Sequence, residues 1–386
     1  MVIPLPPLDA FRADRDQATQ PSAEEGVWLQ VALLAHRAAA LPPHERAPHL
    51  ATIRGLLPGG SGDIFDAIIG CALRMEDAAR LQLGISTLDA VMHLCPANNV
   101  VVRGRALAYQ ARLIRHLGEL AESETRYRAV EAMGLEHGAP SVMARAWAGL
   151  GTLAQLRGNL PVAREHFTRV LARPEAAPET RQAAHHGLMV CAASAGDLGL
   201  AAQHGWHAYG EAPEGDRVAA LINLSESLLR AGHARAALSG FAAALRQRTI
   251  PRAELPALGG LAIAAVRALE PSEAQTVLGA ASRRIEGLIN QTNLPYVHAS
   301  ALLDLADASA TVGRTKSAES YWARAREIAM RHQYHELMFR AESAADAARR
   351  DLRKRVTESP APTYIVEAVE ALVDRNEILT AVLAGV

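Results

Sequence analysis

The stretch ARAWAGLGTLAQLRGNLPVAREHFTRVLARPEA, residues 144–176, reads as two amphipathic helices joined by a short turn. Gly151 stands in the middle of the first helix, where glycine costs about 1 kcal/mol relative to alanine. Trp147, Leu150 and Gly151 share one face of that helix. Ala163, Phe167 and Val170 share one face of the second. Small residues facing each other let two helix axes approach, with an aromatic ring filling the groove beside them. Gly151 therefore reads as a packing position, not as a ligand contact.

The turn recurs. HLGEL at Gly118, LRGNL at Gly158, SAGDL at Gly196, RAGHA at Gly232 and TVGRT at Gly313 each close one helix and open another, most of them about 36–40 residues apart. The longer step before Gly313 holds one more hairpin, with Leu269 at the turn and Pro271 marking the restart. The apolar frame recurs too. Leu221, Leu224 and Ser225 precede Ala237, Phe241 and Ala244. Leu302, Leu305 and Ala306 precede Ala318, Trp322 and Ala325. Leu107 and Ala111 precede Ser123, Tyr127 and Val130.

The frame W-x2-L-G…A-x3-F at Trp147, Leu150, Gly151, Ala163 and Phe167 resembles a tetratricopeptide repeat, and the resemblance covers roughly residues 100–330. It implies an all-α, right-handed α-solenoid of about eight stacked hairpins followed by a C-terminal helix. The expected division is an N-terminal arm over 1–21, degenerate hairpins over 22–99, the repeat array over 100–357, and a linker with a last helix over 358–386. In that family the first helix of each hairpin lines a concave binding face. Carried onto this frame, the lining holds Arg105, Ala108, Arg112, Arg115 and Arg145. Further along it holds Thr152, Gln155, His186, Asn223, Glu226 and Arg230. Four arginines on two adjacent hairpins suit an acidic or C-terminal peptide segment, unless they are solvated or paired with the chain's own acids. The lysine of the family's carboxylate clamp is missing.

Composition narrows the function. Formal net charge is −1, and Lys316 and Lys354 are the only lysines. Non-specific nucleic-acid binding depends on neutralising phosphates, so this balance argues against it. Cys71, Cys95 and Cys191 are odd in number and form no CxxC pair, which fits buried reduced thiols. No basic-then-apolar leader opens the chain, and no apolar run reaches about 18 residues. A cytoplasmic protein away from membranes is expected.

Motifs for chemistry are sparse. PGGSGD at 58–63 and GRTKSAES from Gly313 lack the Gly-Lys adjacency of a phosphate loop and read as inter-helix turns. His204 and His207 lie one turn apart, with His185 and His186 on the preceding helix, a spacing that could bring three imidazoles to one metal. No acidic partner stands at motif spacing, so no metal, cofactor or catalytic residue is assigned and no enzyme is expected. The basic run Arg349–Arg355 reads as a solvated helix end.

A last helix is expected from about Thr363 to Leu383, with Ile365, Val369, Leu372, Asn376, Leu379 and Leu383 at heptad-like spacing. Its broad apolar face must be covered. It caps a hairpin of the same chain, or it docks on a partner, including a second copy in a homodimer. The function these readings favour is a non-catalytic scaffold or adaptor that holds a partner protein or peptide in the solenoid groove. The alternative is a sensor solenoid that binds a small molecule or signalling peptide and controls a partner protein.

Overall fold

A computed structural model describes residues 23–56, 63–77, 80–247, 251–292, 294–332, 334–349 and 361–373. Every regular element among them is helical. The chain groups into two units, Met1–Ala184 and His185–Val386.

The first unit holds α1 (Ala23–Ala40), α2 (Ala47–Leu56), α3 (Ile64–Asp77), α4 (Leu81–Leu94), α5 (Val100–His116), α6 (Leu120–Glu136), α7 (Pro140–Leu156) and α8 (Leu160–Leu171). Helix α9 (Pro178–Ser194) contains the boundary between the units. The second unit continues with α10 (Leu198–Glu211), α11 (Arg217–Arg230), α12 (Ala234–Leu245), α13 (Pro251–Ala268), α14 (Pro271–Gln291), α15 (Pro295–Thr311), α16 (Thr315–Arg331), α17 (His335–Arg349) and α18 (Thr363–Glu370). Leu269 lies between α13 and α14, and the restart falls at Pro271, as the repeat frame requires.

The turns follow from backbone chemistry. Gly118, Gly158, Gly196, Gly232 and Gly313 all have positive φ, and so does Gly138 between hairpins. At Gly158, φ is 75°. This left-handed residue lets the Asn159 amide reach back to the Ala154 carbonyl at 2.8 Å, satisfying an orphan carbonyl at the helix end. The Asn159 side chain then accepts from the Val162 amide at 3.4 Å and caps the next helix. Asp197 caps α10 in the same way, at 3.0 Å from the Leu200 amide.

Helices pack in sequence. Apart from α9, each hairpin closes on itself, and its second helix packs on the first helix of the next. First helices also stack directly: α3 on α5 and α5 on α7 in the first unit, then α11 on α13, α13 on α15 and α15 on α17 in the second. Second helices do not pack on each other to a comparable extent among the described residues. The cores lie between these layers. One runs from Val31 to Leu113. Another joins Tyr127, Val130, Val142, Leu150 and Leu153. In the second unit the largest centres on Leu221, Leu224, Leu228, Phe241 and Leu261.

Glycine placement sharpens the expected close crossing. Gly151 faces the Phe167 ring: the Cβ it lacks would stand 2.8 Å from Phe167 Cε1. The contact is glycine against an aromatic ring, not small residue against small residue. Gly149, two residues earlier, is tighter still, against Tyr127 of the preceding hairpin.

The last helix is shorter than expected. α18 ends at Glu370, and a turn over 371–373 follows. Ile365, Val369 and Val373 are buried in the core of the second unit, while Leu372 is exposed. Asn376, Leu379 and Leu383 lie outside the described residues. So do residues 1–21 of the expected arm, 58–62 of PGGSGD and 350–355 of the basic run.

Candidate functional site

The stacking of first helices decides what lies on their common face. On α5, Arg105, Arg112 and Arg115 fall along one stripe. Arg105 donates to Asp66 Oδ1 on α3. Arg112 Nε donates to Glu76 Oε1, also on α3, at 2.9 Å. On α7, Arg145 donates to Glu179 Oε1 on α9 at 2.6 Å, and its guanidinium stands 5.6 Å over the Tyr109 ring. Three of the four arginines are thus neutralised by an acid on the neighbouring first helix. They tie hairpins together.

Glu76 is the centre of this pairing, with its side chain only 3% exposed. Burial pushes its carboxyl up, but His116 and Arg112 together hold it below the ordinary glutamate range. His116 Nδ1 lies 3.0 Å from the same Glu76 oxygen that Arg112 holds. Arg115 lies on the other side of the imidazole, its Nη2 2.9 Å from His116 Nε2. A guanidinium can only donate, so Nε2 accepts and the ring proton sits on Nδ1, directed at Glu76.

Arg115 differs from the other three. No carboxylate lies within ion-pair distance of it among the described residues. Burial lowers its pKa, and it stands within hydrogen-bond reach of the Tyr127 hydroxyl, whose own pKa burial raises. Its Nε is buried without a hydrogen-bond partner. That Nε is walled off from solvent, so a carboxylate or phosphate from outside would be held by the remaining Nη–H groups of this half-buried guanidinium. Thr152 donates back to the Ala148 carbonyl at 3.0 Å, which leaves its oxygen free to accept. Gln155 is half-buried on the same helix.

In the second unit, Asn223 of α11 and His186 of α9 are brought together, Nδ2 to Nδ1 at 3.4 Å. Burial lowers the His186 pKa. Glu226 and Arg230 follow on α11 and are exposed.

A second charged centre on these helices was not singled out from sequence. Asp304 and Asp307 of α15 share Arg340 of α17, with distances of 2.5 Å and 3.4 Å from its Nη2. Burial pushes the Asp304 carboxyl up to about 6 despite Arg340. Gly259 of α13 makes room for it: a Cβ there would stand 2.5 Å from Asp304 Oδ2. A usable signal existed in the sequence. Arg340 follows Asp304 by 36 residues, Arg112 follows Glu76 by 36, and Glu179 follows Arg145 by 34. Each pair is one hairpin period apart.

The histidines do meet. His185 Nδ1 and His204 Nδ1 are 3.3 Å apart, and the rings of His185 and His207 stack with centroids 5.0 Å apart. Stacked rings do not aim three nitrogens at one point. No group of three or more metal-ligating side chains suited to an ion occurs among the described residues. Burial, then His207, lowers the His204 pKa. Lys316 sits at the start of α16, just past the Gly313 turn. No helix among the described residues is long and apolar enough to cross a membrane.

No protein-family model matches the chain, and no curated protein matches it.

Proposed function

We propose that the chain is a non-catalytic binding scaffold, a right-handed tetratricopeptide-like α-solenoid whose first helices line a groove for an anionic segment of a partner protein. The observation that carries this reading is Arg115: half-buried on α5 and without a carboxylate at ion-pair distance among the described residues. The groove around it is formed within the first unit by Arg112, Arg145, Thr152 and Gln155, while His186, Asn223, Glu226 and Arg230 belong to first helices of the second unit. Arg105, Arg112 and Arg145 set the spacing of the hairpins through their own acids. Arg115 supplies the charge that recognises a carboxylate.

A preformed groove loses little entropy on binding, because the helices are already ordered. An extended segment would lie across successive first helices and place its acidic group at Arg115. The sensor reading would instead need an enclosed apolar pocket for a small molecule.

The test is peptide phage display on the immobilised full chain. Enriched peptides should carry Asp, Glu or a free C-terminal carboxylate, and their affinity should fall at least tenfold on Arg115→Gln. Peptides that bind the variant unchanged would refute the role of Arg115.

A further inference from the structure

His116 ends α5 between two opposite charges. Its Nδ1 lies 3.0 Å from Glu76 Oε1, and its Nε2 lies 2.9 Å from Arg115 Nη2. With the ring neutral, both contacts are hydrogen bonds: Nδ1–H donates to Glu76, and Nε2 accepts from Arg115. The neutral ring therefore occupies an Nη–H of Arg115 that an outside anion would use.

A second proton on the ring reverses this. Nε2 becomes a donor, and Arg115 loses its acceptor. Two positive groups then stand 2.9 Å apart. Nδ1–H keeps its place on Glu76. An oxyanion set against Nε2–H and Arg115 Nη2–H accepts from both and offsets their repulsion. One proton thus frees a donor on Arg115 and adds another beside it. Nδ1 is turned inward to the buried Glu76, so the 22% of the His116 side chain that is exposed lies on the Nε2 side.

The other charged groups facing the ring keep their charge between pH 6 and 8. Glu76 of α3 is held ionised by His116 and Arg112 against its burial, and burial keeps the Tyr127 hydroxyl of α6 neutral. Arg112 and Arg115 of α5 stay protonated. Asp89 and His93 of α4 lie beside Gln110, and Arg145 of α7 lies over Tyr109, about two turns back along α5. The imidazole is the side-chain type that ordinarily changes charge in this interval.

We propose that His116 and Arg115 together hold the anion, and that an acidic segment binds there with uptake of one proton onto His116. The proposal rests on the reading of Arg115 given above and adds its regulation. The coupling is reciprocal: the bound anion keeps the proton on the ring, and acid strengthens the anion's binding. The chain then grips its partner more tightly as pH falls from 8 to 6.

The probe is a hexa-aspartate peptide, titrated calorimetrically into the full chain at pH 8 and at pH 6. Its carboxylates stay ionised over that interval. Affinity of the wild type should rise at least tenfold on going to pH 6. His116→Gln keeps an acceptor for Arg115 and a donor for Glu76 but cannot charge, so its affinity should rise by no more than about threefold, the part owed to the chain's other histidines. Titrations of the wild type at pH 7 in two buffers of different ionisation enthalpy should show proton uptake on binding. Equal pH dependence of wild type and His116→Gln would overturn the proposal, and so would binding without proton uptake. Should His116→Gln lose its helical spectrum, the wild-type proton count decides. Arg115→Gln separates the two readings. If it weakens the peptide while pH does not matter, only the role of His116 fails. If it leaves the peptide's affinity unchanged at both pH values, the anion site itself fails.

Discussion

Gly149 and Tyr127 share one space: the Cβ that Gly149 lacks would stand 2.1 Å from Tyr127 Cε1. The ring projects from the second helix of one hairpin onto the first helix of the next. Phe241 and Gly260 repeat the arrangement in the second unit, at 2.3 Å to Phe241 Cζ. Gly149→Ala gains about 1 kcal/mol in helix propensity but drives a methyl group into a buried ring, which costs about 1–3 kcal/mol or more. Urea denaturation should show a net loss of about 1–2 kcal/mol. Gly287 of α14 has open space where its Cβ would go, so Gly287→Ala should gain about 0.5–1 kcal/mol. Equal effects at the two sites would refute the packing account.

Arg112 and Arg115 stand three residues apart and should respond oppositely to neutralisation. Arg112→Gln takes a partner from the buried Glu76 and should cost about 2–4 kcal/mol in urea denaturation. Arg115→Gln removes no ion pair and should stay within about 1 kcal/mol of the wild type. If Arg115→Gln were the more destabilising, Arg115 would be a structural residue.

Glu76 is held below the ordinary glutamate range in the folded chain. The folded state therefore favours the ionised form. Its contribution is present above the unfolded pKa, near 4.3, and is lost as pH falls through the folded value. The stability difference between wild type and Glu76→Gln should be largest near pH 7 and shrink steadily as pH falls below about 4. A difference that does not change with pH would show that the pairing with Arg112 and His116 is not electrostatic.

Asp304 has the opposite sign. Its carboxyl is raised to about 6, so the folded chain holds that proton more tightly than the unfolded chain. The resulting stability is fully present below pH 4 and is lost as pH rises from there to about 6, by an amount on the order of 2–3 kcal/mol. Relative to the wild type, Asp304→Asn should gain stability across that interval. A constant difference between the two would contradict the burial of the carboxyl.

Cys71, Cys95 and Cys191 are all buried. Burial pushes the Cys71 thiol up to about 12, and its Sγ–H donates to the Trp28 carbonyl at 2.9 Å. Thiolate is the reactive form. A disulfide-exchange reagent at pH 8 should therefore label Cys71 only after denaturation, as mass spectrometry of the labelled peptides would read. Rapid labelling of Cys71 in the native chain would contradict its placement in the core.

The hairpin order was legible because glycine turns and apolar spacing are local properties. Gly118, Gly158, Gly196, Gly232 and Gly313 each mark a real turn, and Trp147, Phe167 and Phe241 each point into a core. What was not legible depends on contacts between hairpins. Nothing around Gly149 signals that Tyr127 lies above it, and the pairing of Arg112 with Glu76 spans 36 residues. The apolar run of the last helix showed that its face needs cover. It did not show that α12 supplies it, because that docking skips the intervening hairpins. Charge alone could not separate Arg115 from Arg105, Arg112 and Arg145. The positions of their acids did.

The scaffold reading meets its most direct test in affinity capture from the native host, using the immobilised full chain and its Arg115→Gln variant side by side with quantitative mass spectrometry. The account predicts a partner protein held by the wild type and depleted at least tenfold on the variant, with the helical spectrum of the two chains identical. Identical sets of retained proteins on both would contradict it.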